Sequence, residues 1–150
     1  MSKTADYSPE KIQKLMDKIS FFDEFSKYEK KLCATSASSI KIFKAGEKII
    51  SEGEQDTFFY IILLGNVEIL KKDVEINTMK EGDFFGEMSF LANTPRSTTV
   101  IALDRVVTYR LNQKKMQMLQ GSIREKIKDQ CIIKLVEGAD RLTEEIRSHL

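Results

Sequence analysis

The chain has 150 residues, of which 41% are hydrophobic and 31% are charged, and its formal net charge is +1. These values are typical of one soluble globular domain that buries its core without disulfides. No stretch approaches the roughly 20 consecutive apolar residues of a transmembrane helix. The polar segment 1–10 also lacks the apolar centre of a signal peptide. We therefore expect a cytoplasmic protein without a membrane partner.

The charges are unevenly distributed along the chain. Residues 1–35 carry a net charge of +1, residues 36–104 of −4 and residues 105–150 of +4. A nucleic-acid-binding protein concentrates basic residues on one face. The acidic middle therefore excludes general nucleic-acid binding, and we interpret the basic C-terminal segment as solvated helix faces.

The cysteines and the single histidine exclude several kinds of reactive site. Cys33 and Cys131 form no CxxC pair, which excludes a metal knuckle and a thioredoxin-like redox site. Two lone thiols fit a reducing cytoplasm. The one histidine, His149, lies next to the C-terminus, so a histidine-dependent triad or metal site is not expected.

Two short helices are predicted in residues 1–37. Ser8 suits the N-cap and Pro9 the first position of a helix. Its apolar residues follow at helical spacing, at Ile12, Leu15, Met16 and Ile19. The sequence Ser26-Lys-Tyr-Glu29 is a capping box and predicts a second helix that ends near Ala34.

Residues 38–112 alternate between short apolar runs and glycine turns. The runs lie at 40–43, 48–50, 57–64, 67–71, 74–79, 98–102 and 106–111. The run at 57–64 is almost wholly apolar, which predicts a buried central strand, and Gly65-Asn66 has the chemistry of a two-residue hairpin turn. Short strands at this spacing favour a sandwich or barrel.

Residues 113–150 are predicted to be helical. Asn112 suits the cap of a short helix, and Ser122-Ile-Arg-Glu125 is a capping box that predicts a long helix after it. Six positions repeat at heptad spacing in that helix over barely three heptads, which is shorter than the length that predicts a coiled coil: Ile132, Leu135, Ala139, Leu142, Ile146 and His149. Gly138 marks a potential bend in the helix.

The stretch 85–100, FGEMSFLANTPRSTTV, carries the functional information. Gly86 allows a tight turn and close backbone approach, and the residues after it suit one or two helical turns. Arg96 is the only basic residue between Glu81 and Asp104. That interval is rich in acids, with Glu81, Asp83, Glu87 and Asp104.

This stretch resembles the phosphate-binding cassette of cyclic nucleotide-binding domains. The likeness continues upstream through Gly46, Gly53 and Gly65 and covers roughly residues 20–145. It implies an α+β fold, an eight-stranded antiparallel, jelly-roll-like β-roll flanked by N-terminal helices and two C-terminal helices. One domain, 1–150, would comprise a helical segment 1–37, the roll 38–112 with its cassette 85–100, and hinge and lid helices 113–150.

The resemblance also implies roles for individual residues. The backbone N–H groups of Gly86 and Met88, the Arg96 guanidinium and the Ser97 hydroxyl would bind the cyclic phosphate. Glu87 would accept a hydrogen bond from the ribose hydroxyl. The last helix would cover the base, with Leu135 and Ile146 on its apolar side; the residues expected to line the base pocket are Thr98, Arg141, Leu142 and Thr143.

The resemblance predicts a non-enzymatic sensor that takes cAMP or cGMP as its ligand and needs no metal. Hydroxyl residues stand at Ser97 and Thr98 where the commonest kinase-type cassette has alanine, which leaves the base open, and we favour cAMP. Only 38 residues follow Asn112, too few for a helix-turn-helix as well as two helices, so no DNA partner is expected. The alternative is an interaction or dimerisation module with an unused pocket. A homodimer through the C-terminal helix and an unidentified effector protein are both open.

Overall fold

The computed structural model describes residues 7–148, apart from the side chains of Ala37, Ala139, Arg141 and Leu142. Helix α1 (Pro9–Asp17) begins after Ser8, whose hydroxyl accepts from the Lys11 N–H at 3.2 Å. Helix α2 (Lys27–Ala34) begins with the predicted capping box. Both predicted N-caps are confirmed because each depends only on residues within one helical turn.

Across residues 7–148, eight strands form two four-stranded sheets in which every pairing is antiparallel. One sheet has the order β1-β8-β3-β6 and the other β2-β7-β4-β5. The strands are β1 (Ile40–Phe43), β2 (Lys48–Ile50), β3 (Phe59–Leu64), β4 (Val67–Lys71), β5 (Val74–Met79), β6 (Phe84–Phe85), β7 (Thr99–Ala102) and β8 (Val106–Leu111). The predicted eight-stranded antiparallel roll is confirmed.

Strand β3 is the central strand that the apolar run predicts. It pairs with β8 on one side and β6 on the other, and only Leu64 is partly exposed. Tyr60 and Ile62 contribute to the apolar core between the sheets, together with residues of six other strands. The core members are Phe43, Ile49, Ile50, Tyr60, Ile62, Val67, Ile69, Phe85, Val100, Ala102 and Val106.

The hairpin prediction at Gly65-Asn66 is wrong. Strands β3 and β4 belong to different sheets, so this turn carries the chain from one sheet to the other. Gly65 has φ of 101°, and a Cβ there would collide with the Arg105 carbonyl oxygen. The hairpin instead joins β4 to β5 at Lys72 and Asp73, which adopt φ values of 51° and 66°. Non-glycine residues in the left-handed region are uncommon, so the sequence carried little signal for this turn.

The described residues from 113 to 148 form two helices, as predicted, but the second begins earlier than its capping box implied. Asn112 caps α4 (Gln113–Gln117) by accepting from the Lys115 N–H at 2.9 Å. Helix α5 (Gly121–Ser148) continues through Gly138. The Gln120 carbonyl already accepts from the Arg124 N–H at 3.1 Å. Ser122 therefore lies inside the first turn and is not the N-cap.

The chain divides into two compact units, one ending at Met118 and the other beginning at Leu119. The first contains the roll and its flanking helices, and the second contains α5. Within residues 7–148, no helix combines the length and the hydropathy that crossing a bilayer requires. A single domain over the whole chain stays a prediction.

Candidate functional site

The helix of the cassette follows a glycine whose backbone conformation is strained for any other residue. Helix α3 (Glu87–Ala92) has Gly86 as its N-cap, with φ of 84°. A Cβ on Gly86 would lie 2.6 Å from Arg96 Nη1 and 2.9 Å from the Phe58 carbonyl oxygen. Glycine is therefore required both for the left-handed conformation and for the close approach of Arg96.

Arg96 is buried, with 3% of its surface exposed, and its guanidinium is held by three groups. Nη1 donates to the Gly86 carbonyl at 3.1 Å, and Nη2 donates to the Phe58 carbonyl. Nη2 also lies 3.1 Å from Asp56 Oδ2. Among the described residues, Nε has no hydrogen-bond partner. The guanidinium is therefore fixed in place beside the first residue of the cassette helix.

The backbone of Arg96 is clamped by the same loop that supplies Asp56. Its N–H donates to the Glu54 carbonyl and its carbonyl accepts from the Gly53 N–H, both at 2.8 Å. The Asp56 carboxylate accepts from the Phe58 N–H at 3.0 Å. The segment 53–58 therefore orients both the main chain and the side chain of Arg96.

Three of the four acids between positions 81 and 104 hold turns. Glu81 accepts from the Gly65 N–H at 2.9 Å, Asp83 from the Lys80 N–H at 3.1 Å, and Asp104 from the Asn66 N–H at 2.8 Å. The acid that pairs with Arg96 is Asp56. Sequence reasoning missed it because it belongs to another segment, and its position just before a buried strand was the only signal.

The remaining predicted site residues fall into two groups. The first group belongs to the cassette. There, Gly86, Glu87 and Thr98 are partly exposed to solvent, Ser97 is exposed, and Met88 is 54% exposed. Thr143 is exposed on α5, in the second compact unit. The side chains of Arg141 and Leu142 lie outside the described part of the chain. Leu135 and Ile146 are 44% and 55% exposed.

A second arginine belongs to the same region of the roll. Arg110 on β8 pairs across the ladder with Tyr60 on β3, and its guanidinium carbon lies 4.2 Å from the centroid of the Phe58 ring. Burial and the nearby Asp56 carboxylate raise the pKa of Tyr60, so it carries its proton at neutral pH. Sequence reasoning missed Arg110 because its neighbours in sequence form an ordinary strand.

Comparison with known families decides the interpretation of this cassette. Residues 40–121, more than half of the chain, match the sequence profile of the cyclic nucleotide-binding domain. The chain belongs to the cyclic nucleotide-binding domain family. The match begins at β1, includes Gly86 and Arg96, and ends at the first residue of α5.

Individual members of the family are similar to this chain. A cAMP-dependent protein kinase regulatory subunit of Yarrowia lipolytica is 32% identical over 71% of this chain, which spans 29% of that protein. A solved structure of PKAR CBD2 with Sp-2Cl-cAMPS bound is 26% identical, covers 97% of this chain and 94% of its own, and has a TM-score of 0.68. The regulatory subunit of a cAMP-independent protein kinase A from Trypanosoma cruzi, bound to guanosine, is 27% identical over 91% of this chain and 52% of its own, with a TM-score of 0.61.

Proposed function

We propose that this chain binds a cyclic nucleotide, cAMP in preference to cGMP, as a non-enzymatic sensor. The observation that carries the proposal is Arg96, a buried cation held against Gly86 at the start of the cassette helix. A fixed guanidinium is suited to a phosphodiester because it offers directed donors and a permanent charge. Membership of the family and the cAMP analogue in the similar PKAR CBD2 structure support the same ligand class.

In this proposal the cassette residues divide the ligand between them. Arg96, the Ser97 hydroxyl and the backbone N–H groups of Gly86 and Met88 bind the cyclic phosphate. Glu87 accepts a hydrogen bond from the ribose 2′-hydroxyl, and Thr98 faces the base side of the pocket. The ligand carries one negative charge, so its site requires a cation. The acidic segment 36–104 has few cations, and Arg96 is the one in the cassette.

The Asp56 carboxylate modifies this binding. It lies 3.1 Å from the guanidinium, so it offsets the charge that attracts the phosphate and repels the phosphate itself. The ligand therefore competes with an internal carboxylate for Arg96. This competition lowers the affinity for the ligand below that of an arginine without a carboxylate partner. It also makes the Asp56–Arg96 ion pair sensitive to the ligand.

The signal is proposed to leave the domain through α5, which closes over the base. Arg141, Leu142 and Thr143 are the proposed base contacts on that helix. The chain spans only 29% of the Yarrowia lipolytica relative, a kinase regulatory subunit, so we place the effector in a separate domain or protein. Both described cysteines are free thiols, which supports a cytoplasmic location.

A second candidate function is an interaction or dimerisation module. Helix α5 exposes several large apolar side chains, and a group of this kind marks a contact surface more often than isolated residues do. They are Ile132, Ile133, Leu135, Val136 and Ile146. Sedimentation equilibrium with and without cyclic nucleotide separates the two functions. An interaction module self-associates to the same extent in both conditions, whereas a sensor changes its association or stays monomeric.

Calorimetry of the full chain against cAMP, cGMP, adenosine and guanosine tests the proposed function. We expect saturable binding of a cyclic nucleotide and its loss in Arg96→Ala, with binding retained in Arg105→Ala, which removes an exposed arginine before β8. A chain that binds neither cyclic nucleotide at millimolar concentration contradicts the proposal. Binding of nucleosides as tight as that of cyclic nucleotides identifies a nucleoside site, because a nucleoside gives Arg96 no anion.

A further inference from the structure

Phe58 contacts both arginines of the roll, one through its backbone and the other through its ring. Its carbonyl accepts from Arg96 Nη2. Its ring lies under the Arg110 guanidinium, 4.2 Å from centroid to carbon. A change in the position of this one residue would therefore change the acceptor that holds Arg96.

The two backbone carbonyl groups that accept from Arg96 lie at the two ends of a short row of aromatic residues, Phe58, Tyr60 and Phe85. One carbonyl belongs to Phe58, and the other belongs to Gly86, which directly follows Phe85. The Tyr60 ring lies between them, 6.4 Å from Phe58 and stacked on Phe85 at 5.3 Å with an angle of 17°. The packing of these rings therefore sets the spacing of the two acceptors.

Arg110 closes this row at its Phe58 end. It lies on the same side of β8 as Val106, which belongs to the apolar core. A cation in such surroundings needs compensating contacts. Arg110 finds one in the Phe58 ring, while its Nε has no hydrogen-bond partner among the residues that the structure describes. Arg110 thus stacks on Phe58 and is the ladder partner of Tyr60, and its flat guanidinium suits stacking on the ring.

We propose that Arg110 is a positioning residue for Arg96. By stacking on Phe58, it fixes the Phe58 carbonyl at the place from which that carbonyl orients the Arg96 guanidinium toward the ligand. This inference rests on the proposed function, since the oriented group is the phosphate-binding cation. Arg110 itself needs no contact with the ligand.

Calorimetry of the full chain with cAMP and cGMP measures the effect on affinity. We expect Arg110→Gln to weaken binding about tenfold, the range of a partly desolvated cation–π contact. Arg105→Gln is the matched control because it removes the same charge from the exposed residue just before β8, and its affinity should stay within about twofold of wild type. Arg110→Lys retains the cation. On a logarithmic scale, its affinity for the cyclic nucleotide should lie about midway between those of Arg110→Gln and wild type.

A double-mutant cycle separates positioning from a general effect of charge. Phe58→Leu removes the ring on which Arg110 stacks, and Arg110→Gln should then weaken binding no further. Thermal unfolding of each variant checks that it is folded. If Arg110→Gln does not fold, the cycle is measured with Arg110→Lys, Phe58→Leu and the corresponding double variant instead. Additive losses of affinity in the cycle would overturn the proposal.

The side-chain Nε–H resonance of Arg96 provides a readout that needs no ligand. We expect this resonance to shift or broaden in Arg110→Gln and to stay in place in Arg105→Gln. An unchanged resonance together with wild-type affinity overturns the positioning role. A wild-type chain that binds no cyclic nucleotide contradicts the proposed function, whereas the ligand-free resonance still decides whether Arg110 positions Arg96.

Discussion

At the scale of single residues, Gly86 is the position where one added carbon alters the site most. Its φ of 84° is strained for any other residue, and a Cβ would lie 2.6 Å from Arg96 Nη1. We predict that Gly86→Ala loses cyclic nucleotide binding and about 1–3 kcal/mol of unfolding free energy. Calorimetry and urea unfolding measure the two effects.

Gly46→Ala is the matched control for that substitution. Gly46 has φ of 87°, yet a Cβ there meets nothing within 4 Å. It therefore carries the same conformational strain without the collision with Arg96. Equal losses of stability and unchanged binding in both variants would show that the approach of Arg96 to Gly86 has no functional effect.

Asp56 is the second residue with a clear electrostatic prediction. Asp56→Asn removes the carboxylate charge that opposes the phosphate beside Arg96, while the amide oxygen still accepts from the Phe58 N–H. We expect cyclic nucleotide to bind about three- to tenfold more tightly at low ionic strength. Glu54→Gln removes an exposed acid from the same loop and should change affinity less than twofold. Weaker binding of Asp56→Asn would mean that the carboxylate chiefly orients the guanidinium.

The buried thiol of Cys33 predicts a pH dependence of stability. Burial raises its pKa to about 11 from an ordinary 9.0, with smaller effects from neighbouring groups. The folded state therefore keeps the proton more tightly than the unfolded state. The stabilisation is fully present below pH 9 and is lost as the pH rises through 11, and two pKa units correspond to at most about 2.7 kcal/mol.

Urea unfolding at pH 8 and pH 10.5 under reducing conditions tests this dependence. The free energy of unfolding should fall more steeply with pH in wild type than in Cys33→Ala. Burial also raises the pKa of Tyr109, and Cys33 adds to that rise, so the comparison reports Cys33 together with its coupling to Tyr109. Parallel pH profiles of the two proteins would exclude a contribution from Cys33.

At the scale of elements, the helix starts show how far local pattern reaches. Ser26 accepts from the Glu29 N–H at 3.1 Å, and Glu29 accepts from the Ser26 N–H at 2.8 Å. Ser26→Ala should therefore cost about 1 kcal/mol of unfolding free energy, measured by urea denaturation. Ser122→Ala, at a box of the same pattern, should change it by less than about 0.5 kcal/mol because Ser122 lies inside α5. Equal costs would place the start of α5 at Ser122 after all.

Strands show a different limit of local pattern. The alternation of buried and exposed residues identified β4, and the apolar run identified β3, because both patterns depend on a few adjacent residues. The pattern did not assign the two strands to different sheets. That assignment depends on the pairing of β3 with β8 and of β4 with β7, whose partners lie far along the chain.

At the scale of the whole molecule, the proposed lid predicts a change in α5 on binding. Hydrogen exchange of the α5 backbone between 135 and 148 should slow several-fold when cAMP or cGMP saturates the site, since closure restricts local opening. The α1 backbone serves as an internal reference and should not change. Exchange in α5 should stay fast in Arg96→Ala at the same ligand concentration. Binding without any protection of α5 would contradict the lid.

The sequence by itself determined the features that adjacent residues specify. These are the caps at Ser8, Ser26 and Asn112, the strand runs, and the cassette at 85–100 with its single arginine. Only the tertiary structure decided which groups surround that arginine. Phe58 lies 38 positions from Arg96, Asp56 belongs to the same loop as Phe58, and Arg110 comes from strand β8. Hydrogen bonds within one turn leave a periodic pattern in the sequence, whereas contacts between distant strands arise only when the sheets pair and leave none.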